Sequence, residues 1–338
     1  MNQLALFMTA FNAVAPVVSL ILLGYFLKQK GLLSKEFLRQ GNWLVFHVCL
    51  PCMLFINVYD IAGFSAINWS IVLYCTAMAF LIFLLGLGAA VTATKDPRRR
   101  GVVWQCTFRS NFAIIGISLA GALAGDEAVA ISAVISAFSI PLFNVLAVIA
   151  LSVFTRHKGS SLRCILVNIL HNPLLIGIAL GMVCLGLREG QRYLFGEVLF
   201  SLQHHTKFLY TTLNYLKALT TPLALIILGG QFEFTAVREL RREIAAGTLW
   251  RTVISPLLGV GGAIALSDMG ILSCGPTVYP ALIALFGSPV AVSSAIMAGS
   301  MDNDEQLATQ LVVWTSLLSV PTIFLQVYLL LSLGFLNL

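Results

Sequence analysis

Charged side chains are scarce in this sequence. Asp, Glu, Lys and Arg supply 10% of its 338 residues, and hydrophobic residues supply 59%. A soluble chain carries about 25% charged residues, so there is too little polar surface here to wet one or two soluble domains of this length. The mean hydropathy of +0.93 agrees. His-Glu-x-x-His, Gly-x-Ser-x-Gly and a phosphate-binding glycine loop with Lys are all missing. An intramembrane protease or an ATP-driven pump therefore has no chemistry to run on, and no enzyme activity, metal or cofactor is expected. Seven cysteines are present, mostly inside apolar runs. Cys49 and Cys52 have the spacing of half a zinc site, but no second pair accompanies them, so they read as small buried residues. The net charge of +6 does not point to nucleic acid, because the basic residues sit in short clusters between apolar runs.

What is present is apolar sequence in long runs. A helix needs roughly 20 apolar residues to cross a bilayer core. Ten stretches qualify, at about 7–27, 40–58, 69–93, 103–124, 128–154, 165–187, 207–230, 246–266, 277–299 and 308–334. The first has no cleavage-like site and no basic region before it, so it reads as a span and not as a signal peptide. Basic residues cluster in alternate loops: Lys28, Lys30, Lys35 and Arg39; then Lys95, Arg98, Arg99 and Arg100; then Arg156, Lys158 and Arg163; then Arg238, Arg241 and Arg242. Loops 60–68, 125–127 and 267–276 hold only acidic charges. Positive loops stay cytoplasmic, which predicts both termini outside. The loop at 188–206, with Arg188 and Arg192, weakens the pattern, as does the acidic turn Asp302, Asp304 and Glu305 on the expected inside.

The chain also repeats itself. Ser110 answers to Ser288, Ala120-Gly121 to Ala298-Gly299 and Asp126-Glu127 to Asp304-Glu305, all at an offset of 178. Pro16 with Leu23-Gly24 answers to Pro173 with Leu180-Gly181 at 157, and Pro51 and Leu54 answer to Pro222 and Leu225 at 171. Offsets that grow along the chain fit one duplication, with repeats over 1–155 and 163–338. Five spans per half is an odd number, so the second half sits upside down, the inverted repeat typical of secondary transporters.

Spans 4 and 9 are where a substrate site is expected. Span 9 carries Pro280, Gly287, Ser288 and Pro289, then Ser293. A proline in mid-helix removes a donor and clashes with the preceding turn; behind Gly-Ser, Pro289 is expected to break the helix, with a plain kink as the alternative. Span 4 carries Arg109-Ser110-Asn111 at the matching place, with Gly116 after it. Each break aims a half-helix N-terminus at mid-membrane, and two such ends make an anion site. Arg109 either faces that site or snorkels to the cytoplasmic surface. His47 and Asn144 are either supporting site residues or interhelical glue, and Lys217 is a site cation or an end-of-helix anchor. Spans 1, 3, 5 and 10 lack a central carboxylate, so a sodium–proton exchanger, which needs one, is not expected.

The stretch Asn42-Trp43-Leu44-Val45-Phe46-His47-Val48-Cys49-Leu50-Pro51-Cys52-Met53-Leu54-Phe55 resembles the second-span signature of the auxin efflux carrier family. Ser110-Asn111-Phe112-Ala113-Ile114-Ile115-Gly116 resembles its fourth-span crossover, and Gly125-Asp126-Glu127 and Asn303-Asp304-Glu305 resemble the acidic turns after spans 4 and 9. The resemblance covers nearly the whole chain. It implies an all-α polytopic membrane protein: ten transmembrane helices as two inverted five-helix repeats, with broken helices 4 and 9 crossing. Spans 1, 2, 6 and 7 would form a scaffold and spans 3–5 and 8–10 a transport domain. The family carries a proline in each broken helix, but Ser110 replaces the first, and Ser118 stands where bacterial members often have another. Span 4 is thus expected either to break or to bend through Asn111 and Gly116. Without the long cytoplasmic loop of many plant members, the chain resembles the bacterial branch, which includes malonate and malate carriers.

The reading is a secondary transporter of the bacterial inner membrane, moving a small organic anion, a dicarboxylate such as malonate or malate, by an elevator-like movement. A passive channel or sensor and a carrier of auxin-like acids are the alternatives. Arg109, Ser110, Asn111, Ser288, Pro289 and Ser293 would bind substrate, with Gly116, Gly287 and Pro289 as hinges. Membrane lipids surround it, and the fold often forms a homodimer through its scaffold.

Overall fold

A backbone in hydrocarbon must satisfy its own hydrogen bonds, and a helix does so within one segment. The computed structural model follows this rule: every named element among its described residues, 3–60, 68–155 and 173–336, is a helix. They are α1 (Gln3–Gln29), α2 (Lys35–Tyr59), α3 (Trp69–Ala93), α4 (Pro97–Phe108), α5 (Ile117–Phe154) and α6 (Pro173–Phe195). Then come the short α7 (Leu202–His205), α8 (Lys207–Gln231), the short α9 (Phe234–Glu239), α10 (Arg241–Asp268), α11 (Val278–Gly287), α12 (Ser293–Ser300) and α13 (Glu305–Ser332). The basic loop with Arg156, Lys158 and Arg163, the boundary between the repeats, Cys164 and the loop at 61–67 lie outside the described residues, as do the side chains of Ser118 and Asp126.

Seven described segments are long and apolar enough to cross a membrane: α2, α3, residues Glu127–Phe154 of α5, α6, α8, α10 and α13. The first expected span falls in α1, and spans 4 and 9 fall where the helix is interrupted. α5 is itself two helices, joined where Ala124 and Gly125 leave helical geometry, with Gly125 at φ 68. Only glycine adopts such a conformation freely.

Polar residues at the turns start the helices. Asp96 accepts from the Arg98 N–H, with Pro97 at the first helical position, and so opens α4. Asp304 accepts from the Leu307 N–H and opens α13. Each side chain satisfies a donor that the first turn leaves without a partner.

Packing divides the helices into two sets. α1 packs on α8, α2 on α6 and α8; α3, α4, α5, α10, α11, α12 and α13 pack among themselves, and α13 also runs along α1. Glycines let the first set approach closely. A Cβ on Gly24 of α1 would strike the backbone of Ile226 in α8, and one on Gly181 of α6 would strike the backbone of Phe55 in α2. Gly24 answers to Gly181 at the offset of 157, and Phe55 to Ile226 at the offset of 171. Two glycines at that offset thus each face a backbone carbonyl of a neighbouring helix. Small residues at such seams let van der Waals packing hold helices together in lipid.

Candidate functional site

Both interruptions fall at the sites the sequence singles out, and they meet. α4 ends at Phe108, and Arg109 is extended at φ −81, ψ 103. After α11, Ser288 is extended at φ −62, ψ 149. The two short segments run antiparallel, with Ser110 bridged to Val290. The Asn111 N–H donates to the Pro289 carbonyl at 2.8 Å, and the Ala291 N–H donates to the Arg109 carbonyl at 3.2 Å. Asn111 and Pro289, which answer to one another at the offset of 178, therefore pair with each other. Span 4 thus breaks and does not merely bend. Ser110 in place of a proline does not prevent this, because the partner segment satisfies the backbone groups that the break releases.

Beyond the crossing the chain turns helical again, through a π turn at Phe112–Gly116 into α5 on one side and into α12 on the other. Gly116 sits where α5 approaches α11: a Cβ there would lie 2.7 Å from the Ala284 carbonyl oxygen. At Gly287 a Cβ would meet the Gln326 side chain. The two glycines among the three expected hinges are therefore close-packed points.

A cavity of about 60 Å³ opens beside the crossing. Arg109, Ser110, Asn111, Asn144 and Ser293 give its polar wall, Leu50, Met53, Leu54, Ile140 and Phe143 its apolar wall, and Thr220 and Thr221 of α8 join them. That is room for roughly four to six waters. Among the described residues, no carboxylate lines it.

Arg109 does not snorkel; it is 2% exposed. Its Nη2 donates to Asn144 Oδ1 and to Ser293 Oγ, both at 2.8 Å, and its Nη1 lies against Gln105 Oε1 and the Met297 sulfur. Asn144, in turn, donates to the Ile140 carbonyl at 2.7 Å. Asn111 is 3% exposed, yet its Nδ2 has no hydrogen-bond partner among the described residues, and the same holds for Ser110 Oγ and Ser288 Oγ. An unmade hydrogen bond on a buried donor costs about 1–3 kcal/mol, and three such atoms lie around this one crossing.

Not every expected side chain reaches the cavity. His47 is exposed on α2, stacked on Trp43 at 4.6 Å between ring centroids. Lys217 pairs with Asp60 at 3.8 Å. Neither lines the cavity. Ser288 and Pro289 supply the crossing's backbone and are not in its lining either.

Two groups make contacts that the sequence reading did not foresee. Arg251 in α10 is 1% exposed and binds the end of α11. Glu305, at the start of α13, accepts from Asn42 Nδ2 at 3.1 Å and Gln231 Nε2 at 2.9 Å, which ties α13 to α2 and α8. A buried arginine within an expected span was a signal. The partners of Glu305, at 42 and 231, leave none in the sequence.

The Membrane transport protein family model matches residues 9–327. An uncharacterized transporter of Methanothermobacter thermautotrophicus is 27% identical over 331 residues, covering 94% of this chain and 97% of that protein. An uncharacterized transporter of Methanocaldococcus jannaschii is 25% identical over 257 residues, covering 74% and 77%. Both relatives are archaeal, so they lend no support to a bacterial branch. A match over nearly all of an apolar, helical chain decides the family: this protein belongs to the Membrane transport protein family, that of the auxin efflux carriers.

Proposed function

We propose that this membrane transporter is a secondary carrier for a small organic anion. The observation that carries the reading is the cluster of unpaired buried polar atoms around Asn111, beside the buried Arg109, at the crossing of two broken helices. Two helix N-termini converge there and favour negative charge. A carboxylate would bind Asn111, Ser110 and the backbone N–H groups that follow the crossing, with Arg109 and Ser293 beside it.

The architecture behind this reading is ten spans in two inverted repeats. α1, α2, α6 and α8 form a scaffold, and the helices around the crossing form a transport domain that moves as an elevator. The matched glycine contacts and the self-paired Asn111 and Pro289 support it. Both termini face outside a cell membrane in this arrangement, and scaffold-to-scaffold contact would make a homodimer.

A dicarboxylate such as malonate or malate would set its second carboxylate on Arg109. A monocarboxylate is the second reading, favoured by one observation: among the described residues Arg109 is the one charged group lining the cavity, Lys217 being engaged by Asp60. Uptake of labelled malonate into proteoliposomes, competed by malate, succinate, acetate and indole-3-acetate, tests both. Saturable uptake, lost in Arg109→Ala, is expected, with the order of competition fixing the substrate. Unsaturable flux would indicate a channel, and affinity unchanged in Arg109→Ala would remove Arg109 from the site.

A further inference from the structure

Four helix ends meet at the crossing, and they do not all favour an anion. The helices that begin at Phe112 and Ser293 present amino ends, equivalent to about half a positive charge each. α4 and α11 present carboxyl ends, which carry about half a negative charge each. Left alone, the four cancel, and the crossing offers an anion little net attraction. An anion site on this fold needs both carboxyl ends neutralised.

Arg109 stands at one of them, as the residue that closes α4. The other is closed from outside. Arg251 of α10 donates through Nε to the Ser288 carbonyl at 2.8 Å and through Nη2 to the carbonyls of Leu285 and Phe286, each at 3.1 Å. These carbonyls, at the end of α11, include ones for which the helix offers no partner. Ser255, four residues on, donates to the Thr107 carbonyl at the end of α4 at 2.6 Å. One face of α10, around its π turn at Trp250–Ile254, thus holds the carboxyl ends of both broken helices. The end that already carries its own arginine receives a neutral hydroxyl, and the end that lacks one receives a guanidinium.

We propose that Arg251 is the second charge determinant of the site, a positioning residue that neutralises the carboxyl end of α11 and so sets anion affinity without touching the anion. This rests on the anion-carrier reading. Arg251 bonds the carbonyls at the end of α11 directly, whereas Arg109 follows α4 in sequence and directs its guanidinium to Asn144 and Ser293.

The test compares Arg251→Lys with Arg251→Gln in malonate uptake by proteoliposomes, with melting temperatures measured alongside. Both variants lose the three-carbonyl grip and are expected to melt lower than wild type. Only the glutamine variant loses the charge. It is expected to raise KM at least tenfold, while the lysine variant stays within about threefold of wild type. Equal KM values in the two variants would reduce Arg251 to a structural cap and overturn the proposal. Arg251→His serves where the glutamine variant does not fold. Its KM is expected to fall as the medium is acidified through the imidazole range, by more than wild type does, and a profile parallel to wild type overturns the proposal. If wild type itself shows no saturable uptake of malonate, acetate or indole-3-acetate, the carrier reading falls and takes this assignment with it.

Discussion

Asn111 shows how a single side chain distinguishes function from stability. Its backbone N–H is used in the crossing, but its side-chain Nδ2 is buried with no partner among the described residues. Replacing an unpaired buried polar group with an apolar one of similar shape is nearly neutral or stabilising. Asn111→Leu is therefore expected to keep or raise the melting temperature while abolishing saturable uptake. Loss of both together would mean that Asn111 holds the fold and not a ligand. Arg109 behaves oppositely, because its donors are engaged by Asn144 and Ser293. Truncating it to Ala leaves the Asn144 oxygen without its donor, so a drop of several degrees in melting temperature should accompany the loss of uptake. Both residues stood out in the sequence, since polar groups are expensive in apolar runs. Their difference was not, because it depends on which partners the fold brings within reach.

At the scale of elements, the glycine seams carry the argument. Gly24 faces the backbone of α8, and Gly181 faces the backbone of α2. Overpacking a tight contact costs roughly 1–3 kcal/mol. Gly24→Ala and Gly181→Ala should each lower the melting temperature, Gly24→Ala by more, because its Cβ would lie closer to the facing backbone. A large drop in one and none in the other, measured by thermal denaturation in detergent, would argue against structural symmetry of the halves. Gly116→Ala belongs to a different class. Its Cβ would press on the Ala284 carbonyl, against the first half of span 9, so it is expected to depress uptake as well as stability. Proline and glycine made these positions visible in the sequence. Span 4 carries no proline at its break, so periodicity left it between bending and breaking; the antiparallel partner segment decided the matter.

For the whole molecule, the contact between the two sets of helices is the informative one. Glu305 reaches across to Asn42 and Gln231, whereas Arg99 and Asp304, paired at 3.0 Å, both lie within the second set. In a background free of native cysteines, a disulfide between Asn42→Cys and Glu305→Cys should stop uptake until it is reduced. The same link between Arg99→Cys and Asp304→Cys should leave uptake insensitive to reductant. Full uptake with the first pair oxidised would rule out movement of one set against the other at this face.

Composition alone determined that this chain lives in a membrane, because 10% charged residues cannot wet its surface. The prolines, glycines and polar residues of spans 4 and 9 placed both interruptions, because such residues act locally on the backbone. The tertiary structure decided the rest. It turned Arg109 inward, sent His47 and Lys217 elsewhere, and brought Arg251 to the end of a helix 34 residues away. Those outcomes depend on which helices lie side by side, and in a chain where apolar sequence is nearly everywhere, hydrophobic pattern carries almost no information about neighbours. Hydrogen bonds to buried backbone groups carry that information, and they exist only once the chain has folded.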